Sequence, residues 1–138
     1  MSTDGGLIHN RERFQQRLVF DGLESGAIHP TDIDYCLELG GKFLFIAECK
    51  VKGQSLPTGQ QLALERIVNS WVDSGDDREA IAFFVTHSVP TTQDIMMADT
   101  DVEWVYYRRQ WRKKSIKFKE GILCLRKHWC IDALNDLT

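Results

Sequence analysis

Several features that define large classes of proteins are missing from this sequence. No apolar run approaches the roughly 20 residues of a membrane-spanning helix. Residues 1–6 lack a basic region followed by an apolar one, so we expect no secretory signal. The four cysteines show no disulfide-framework spacing, which predicts a reducing, cytoplasmic environment. No Gly-rich phosphate-binding motif is present either, which argues against a nucleotide cofactor.

The bulk composition is that of an ordinary globular chain. The sequence has 138 residues, of which 43% are apolar and 27% are charged. This length suits one domain with a single core, and we expect one domain over residues 1–138 with a loose tail at 1–9.

Charge is distributed unevenly along the chain. Residues 1–102 carry 8 Lys/Arg against 16 Asp/Glu, a balance of −8, whereas residues 103–128 carry 9 Lys/Arg against 2 acids, a balance of +7. Cations gathered in one stretch are typical of a phosphate-binding surface. A solvated protein face explains such a stretch equally well when no other feature supports binding.

The order of the expected elements predicts an α/β fold with a central mixed β-sheet flanked by helices. A helix is expected over 11–20, and strands over 33–39 and 43–51 form a hairpin around Gly40-Gly41. The next helix is expected to begin with a Thr58–Gln61 capping box and to end near Ser74-Gly75. Its predicted buried residues are Leu64, Ile67, Val68, Trp71 and Val72. We further expect a buried strand over 80–85, a strand over 102–107 and helical structure over 108–119.

The loop length of the hairpin decides which side chains share a face. A three-residue loop, Gly40-Gly41-Lys42, pairs Leu39 with Phe43. Asp34 then falls directly opposite Glu48, and Lys50 shares that face because side chains alternate along a strand. A two-residue loop would put the two carboxylates on opposite faces.

Two carboxylates and a lysine on one face suit phosphodiester hydrolysis. Carboxylate oxygens bind hard cations such as Mg²⁺, which activate water and polarise a phosphoryl oxygen. An adjacent lysine orients that water or stabilises developing negative charge. Acids that protrude from apolar strands are costly unless something pairs with them, and the neighbours of Asp34 and Glu48 are apolar.

These residues resemble the motif of the PD-(D/E)XK nuclease superfamily. The acidic residue on the first strand matches Asp34, although Asp32 is a second candidate because the sequence reads Pro-Thr-Asp-Ile-Asp. The (D/E)-x-K part matches Glu48-Cys49-Lys50 on the second strand. The resemblance covers roughly residues 10–86 and implies a restriction-endonuclease-like core.

The resemblance also indicates accessory positions. Many family members carry a glutamine on the next helix, where Gln60 and Gln61 lie in this sequence. Gln60 precedes Leu64 by four residues and points inward, which favours either a site role or an internal hydrogen bond. Gln61 is better explained as a helix cap. Some members, including archaeal Holliday-junction resolvases, carry a glutamate on the N-terminal helix, and Glu12 is the counterpart here, although it also suits a solvated face.

The resemblance implies a nuclease that cuts DNA with Mg²⁺ or Mn²⁺. Asp34 and Glu48, with Asp32 as a further candidate, would bind the metal, Lys50 would act on the water or the transition state, and Gln60 would assist. The chain has little room for a sequence-reading domain, so we expect a structure-selective endonuclease, of a compactness that suits a phage or mobile element. A homodimer would fit two-strand cutting. RNA as the substrate stays open, as does a nuclease-like module that binds DNA or protein without cutting.

Two other segments carry possible binding residues. Aromatic residues interleave with cations after residue 103, and we expect Trp104 and Tyr106 to lie mainly in the core. Cys124, His128 and Cys130 lack the paired-ligand spacing of a zinc site, which favours buried cysteines. The cations expected to contact phosphates are Arg108, Arg109, Arg112, Lys113, Lys114 and Lys117.

Overall fold

The computed structural model describes residues 33–131. Within this range the helices are too short or too polar to cross a membrane. The elements in chain order are β1 (Tyr35–Leu39), β2 (Phe43–Val51), α1 (Thr58–Asp73), β3 (Glu79–His87), a short 3₁₀ helix (Met97–Asp99), β4 (Asp101–Tyr107), β5 (Gln110–Lys117) and α2 (Phe118–Trp129). The expected helix over 11–20 and the tail over 1–9 lie outside the described residues.

The five strands form one mixed sheet in the order β1-β2-β3-β4-β5. Only β2 and β3 are parallel, and α1 connects them, as a parallel pair requires a crossover. The other neighbouring pairs are antiparallel: β1–β2 and β4–β5 are hairpins, and residues 88–100, which include the 3₁₀ helix, connect β3 to β4. The expectation of an α/β fold with a mixed sheet and flanking helices is therefore confirmed for the described part of the chain.

Helix α1 covers one face of the sheet. Its buried residues Leu64 and Val68 pack on Leu44, Ile46 and other small or apolar residues of β2 and β3. Side-chain hydrogen bonds also fix the helix to the sheet: Tyr106 Oη donates to Asn69 Oδ1 at 3.0 Å, Trp71 Nε1 donates to the Lys42 carbonyl at 3.2 Å, and Trp111 Nε1 donates to Glu65 Oε2 at 2.7 Å. Of the residues expected to be buried on this helix, Val72 is instead 38% exposed, because it lies beside the contact stripe.

Helix α2 covers the opposite face. The ring of Trp129 stacks on Phe43 and Phe45 with centroids 5.3 and 5.4 Å away. Gly121 lets the helix approach closely, because a Cβ there would lie 3.3 Å from atoms of Ile116 and Phe83. Consecutive residues of β2 therefore face different helices, odd-numbered ones towards α2 and even-numbered ones towards α1.

The expectation of helical structure over 108–119 is wrong. Arg108 and Arg109 adopt positive φ angles of 52° and 63° and form the two-residue turn between β4 and β5. The positive φ values at both turn residues are those of a type I′ hairpin turn, which suits the twist of antiparallel strands. The cationic segment is thus an edge strand, on which charged side chains are solvated and discourage pairing with another chain.

The start of α1 also differs from the expected capping box. Pro57 occupies the N-cap position with φ −59° and ψ 145°, and no side chain caps the helix. Thr58 is already helical, and the first helical hydrogen bond runs from Gln61 N to the Pro57 carbonyl at 2.9 Å. The fixed φ of proline sets the entry into the helix one residue earlier than the Thr-x-x-Gln pattern indicates.

Candidate metal and phosphate site

The β1–β2 turn sets the geometry of the candidate site. Gly40 and Gly41 have φ angles of +61° and +71°, which side-chain-bearing residues rarely adopt. The carboxylate of Glu38 accepts a hydrogen bond from Gly41 N, and Lys42 N donates to the Leu39 carbonyl at 3.0 Å. Leu39 pairs with Phe43, so the three-residue loop is confirmed.

The same register continues along the hairpin to Tyr35 and Ala47. Asp34 precedes Tyr35 and Glu48 follows Ala47, so a continuation of this register would pair the two acids. The Asp34 side chain then ends the ladder, because its Oδ2 accepts a hydrogen bond from Cys49 N at 2.7 Å. A carboxylate has about four lone-pair positions, so this bond leaves Asp34 with capacity for a cation.

Glu48 is a buried acid on an otherwise apolar strand. Only 4% of the residue is exposed, and it shares the α1 face with Leu44 and Ile46. Its Oε1 lies 3.6 Å from Lys50 Nζ, and the lysine side chain keeps 24% exposure. A charged group is costly to bury unless it is paired, and Lys50 is one of the groups that compensate the Glu48 carboxylate.

The pKa of the Cys49 thiol is raised by burial and by the negative charge around it. Burial, followed by the charges of Asp34 and Glu48, raises the pKa of Cys49 to about 11, against a smaller opposing effect of Lys50. Both carboxylates are therefore close enough to Cys49 to act on the same group from the two strands. At neutral pH this thiol is protonated and a poor nucleophile.

Thr86 is a site residue that the sequence reasoning missed. It pairs with Lys50 across the parallel β2–β3 ladder and is fully buried. Its Oγ1 finds no hydrogen-bond partner among residues 33–131. The signal was available: a threonine ends the apolar run Ala80–Val85 on the neighbouring strand.

The donor set fits a small hard cation. Asp34 and Glu48, which both lie near Cys49, would supply carboxylate oxygens, and Mg²⁺ is commonly held by one or two carboxylates while it keeps several waters. Residues 33–131 contain no group of three or more His, Cys, Asp or Glu side chains arranged for a metal. The set therefore suits a hydrated Mg²⁺ or Mn²⁺ better than a fully coordinated zinc. Asp32, the third expected ligand, lies outside the described residues.

The accessory positions have different outcomes. Gln60 lies in the first turn of α1 and is half-buried, as an inward-pointing residue would be. Gln61 is not a cap: its Nε2 donates to Glu65 Oε2 at 3.1 Å. Glu12 lies outside the described residues. Catalytic roles for these three stay predictions.

The six cations expected to contact phosphates do not form one surface. Arg108 and Arg109 lie in the β4–β5 turn, at the end of the sheet where β3 begins. Arg109 pairs there with Asp73 at 2.5 Å. Arg112 donates to the Tyr107 carbonyl at 3.3 Å and belongs to that end. Lys113, Lys114 and Lys117 lie towards the other end of β5, at the end of the sheet where β3 also ends.

These three lysines and Lys52 line a groove of about 680 Å³, called here the lysine groove. Lys117 is paired with Asp101 at 2.8 Å, which raises the pKa of the lysine and lowers that of the aspartate. Lys52, Lys113 and Lys114 have no ion pair within the part of the chain that the structure describes. Lys50 lines a separate depression, which shares Gly53 with the lysine groove.

A second depression, called here the cleft, opens on the α1 face beyond the first turn of the helix. It measures about 530 Å³. Trp104, which we expected to lie mainly in the core, is 40% exposed and forms part of its wall. Tyr106, its neighbour on the same face, is buried as expected. The residues that line the cleft are Leu56, Gln61, Phe84, Glu103, Trp104, Trp111 and the loop Gly53–Ser55.

The cysteines of the C-terminal segment were expected to be buried, and they are not. Cys124 and Cys130 are free and exposed, and His128 is exposed as well. Cys130 ends α2 in a left-handed conformation with φ 54°. Their exposure follows from α2 packing on the sheet through Phe118, Gly121 and Ile122.

No family model, curated protein or solved structure matches this chain. The resemblance to PD-(D/E)XK nucleases and the nuclease function therefore stay predictions. They depend on the geometry of Asp34, Glu48 and Lys50 described above.

Proposed function

We propose that this chain is a metal-dependent nuclease that hydrolyses DNA phosphodiester bonds, with a restriction-endonuclease-like core. The observation that carries the proposal is the register of the β1–β2 hairpin. The register runs to Tyr35 and Ala47, so its continuation by one pair would set Asp34 against the buried Glu48, and Lys50 Nζ lies 3.6 Å from Glu48 Oε1. An inert hairpin has no need of a buried acid at this position.

The roles of the residues follow from their chemistry. Asp34 and Glu48 would hold Mg²⁺ or Mn²⁺, which when bound supplies an acidified water and polarises the phosphoryl oxygen. Lys50 keeps its ammonium partly exposed at the mouth of the site, where it can orient the water or neutralise charge on the phosphate. Lys52, Lys113 and Lys114 add positive charge along the path of the strand.

The substrate is proposed to be recognised by its structure. The phosphate-binding residues of the lysine groove carry no sequence information, because contacts to phosphates position a nucleic acid and contacts to bases specify it. An endonuclease selective for a branch, flap or end is consistent with this composition. Whether it acts as a homodimer is part of the same proposal and is measured by light scattering with and without DNA.

The test uses the purified chain and labelled substrates: single strand, duplex, flap, four-way junction and RNA. Each is incubated with Mg²⁺, Mn²⁺ or EDTA. Lys50→Ala should lower the cleavage rate by about a hundredfold or more, the usual effect of removing one charge-stabilising group. Lys119→Ala, an exposed lysine on α2, is the matched control and should cut like the parent.

The outcomes separate the alternatives. Metal-dependent cutting that disappears in Lys50→Ala and Glu48→Gln supports the nuclease and identifies its substrate, DNA or RNA. Cutting that is equal in Lys50→Ala and the parent comes from another source and contradicts the proposal. A chain that binds DNA equally in EDTA and Mg²⁺ and never cuts is the binding module.

A further inference from the structure

The cleft has the properties of a site for a flat apolar group. Its volume of about 530 Å³ lies within the roughly 300–1,000 Å³ of small-ligand sites. Phe84, Trp104 and Trp111 supply aromatic surface, and Trp104 is the most exposed of these three residues, at 40%. Helix α1 leaves this part of the sheet uncovered, because its buried residues Leu64 and Val68 lie further along.

Hydrogen bonds hold one wall of the cleft in place. Trp111 Nε1 donates to Glu65 Oε2 at 2.7 Å, and Gln61 Nε2 donates to the same oxygen at 3.1 Å. The Trp111 ring also lies 5.2 Å from the ring of Tyr106. The wall formed by Trp111 is therefore preorganised, whereas Trp104 presents its ring to a ligand.

The cleft adjoins the candidate metal and phosphate site. Glu48, Phe84 and Trp104 are register partners on three consecutive strands, β2, β3 and β4. Strands lie about 4.8 Å apart, so the Cα of Trp104 is roughly 10 Å from that of Glu48 across the sheet. One strand of nucleic acid can occupy the carboxylate–lysine site and the cleft at the same time.

The charges around the cleft favour a base inside it and phosphates outside it. Glu103 lines both depressions, but the described lining of the cleft contains no lysine or arginine, whereas four lysines line the groove. Lys113 is the register partner of Trp104 and belongs to the lysine groove. A backbone that runs along the groove therefore directs its bases towards Trp104.

From this arrangement we infer that the cleft binds an unpaired nucleobase, stacked on Trp104, of a single-stranded segment whose phosphates lie in the lysine groove. The inference rests on the proposed function for its choice of a nucleic acid. It deepens that function by naming the substrate class: DNA with unpaired nucleotides next to the scissile phosphate. Stacking on an aromatic ring tolerates any base, which suits recognition of structure over sequence.

The test separates binding from cutting. The full-length chain carrying Lys50→Ala is titrated in EDTA with fluorescent oligothymidine, and binding is followed by anisotropy. Trp104→Ala should weaken binding about tenfold or more, as removal of a stacking platform does, and Trp104→Phe should recover most of it. Ile95→Ala removes an exposed apolar residue outside the cleft and should bind like the parent.

A strand with the same phosphates but abasic sugars completes a double-mutant cycle, in which the base and the Trp104 side chain are removed separately and together. If Trp104 stacks on a base, Trp104→Ala should have no effect on the affinity for the abasic strand. Tryptophan fluorescence should also be quenched by oligothymidine, and this quenching should be largely lost in Trp104→Phe. Circular dichroism and thermal melting check that each variant is folded.

The results that overturn the inference differ from those that overturn the nuclease. Three results would each rule out the base site, even if Lys50-dependent cutting is observed. Trp104→Ala could weaken binding to normal and abasic strands equally, or it could leave the affinity unchanged. The chain could also bind duplex DNA as tightly as single strands, independently of Trp104. Conversely, if Trp104→Ala weakens binding to the normal strand alone and the chain never cuts, the base site is supported and the nuclease is rejected.

Discussion

The pairing of Glu48 with Lys50 makes a quantitative prediction about stability. Two unit charges 3.6 Å apart attract by about 4–5 kcal/mol at an effective dielectric constant of 20. Solvent reaches the lysine, whose side chain is 24% exposed, and screening reduces the net effect. Because Glu48 is buried and loses one of its partners when the ammonium is removed, we expect Lys50→Met to lower the free energy of unfolding by about 1–3 kcal/mol.

A double-mutant cycle isolates this interaction. Methionine keeps the apolar stem of Lys50 while it removes the charge. Glu48→Gln removes the buried charge and should change stability little or increase it. The double variant Glu48→Gln/Lys50→Met should therefore be more stable than Lys50→Met alone, with a coupling free energy of about 1–3 kcal/mol. Lys119→Met on α2 is the control for loss of a lysine charge.

The assay is urea unfolding at pH 7 and 25 °C, first in EDTA and then in Mg²⁺. A cation that binds only the folded state adds RT ln(1 + [L]/Kd), or about 2.7 kcal/mol at a hundredfold excess over Kd. Mg²⁺ should stabilise the parent and Lys50→Met, in which it replaces the lost ammonium, and should not stabilise Glu48→Gln. Additive single effects, or equal stabilisation of all variants by Mg²⁺, would refute the charge-compensation argument.

Three further predictions follow from single features. The double variant Lys113→Gln/Lys114→Gln should bind single strands with a weaker salt dependence. The slope of log K against log[salt], measured by anisotropy across a salt series, should fall by about 0.7 per lost phosphate contact, whereas Arg109→Gln should leave it unchanged. Gly41→Ala should lower the free energy of unfolding by about 1–2 kcal/mol because the turn needs a positive φ; an unchanged urea midpoint would contradict this. Thr86→Val should keep or raise the thermal midpoint, since it removes a buried hydroxyl without a partner, and a lower midpoint would show that the hydroxyl is satisfied.

The hairpin was predictable because its local signals agree. Gly40-Gly41 indicates a loop whose backbone needs positive φ, and the apolar runs on both sides have the period of strands. The loop length then fixes the register, which the structure shows from Leu39–Phe43 to Tyr35–Ala47. No long-range information is needed for this step, so sequence reasoning was sufficient for the register, whereas the pairing of Asp34 with Glu48 stays a prediction.

The cationic strand β5 was not predictable in the same way. Its two half-buried residues, Trp111 and Ile116, are five apart and pack on opposite faces of the sheet, so neither face of β5 shows the apolar residue at every second position that identifies a strand. The remaining residues are charged or polar because β5 is the edge of the sheet and is exposed on most of its length. A run of lysines and arginines with no visible period suits a helix equally well, and only pairing with β4 decides between them.

Backbone irregularities also determine which groups share a face with Glu48. Val102 packs towards α2, and strict alternation would send Trp104 to that same face. The register of β4 against β3 shifts by one residue at Glu103, which is the signature of a bulge. This shift turns Trp104 towards the α1 face and leaves Val105 on the α2 face. The exposed ring beside the buried acid is thus a consequence of one extra residue in β4, which a regular period-2 pattern in the sequence does not reveal.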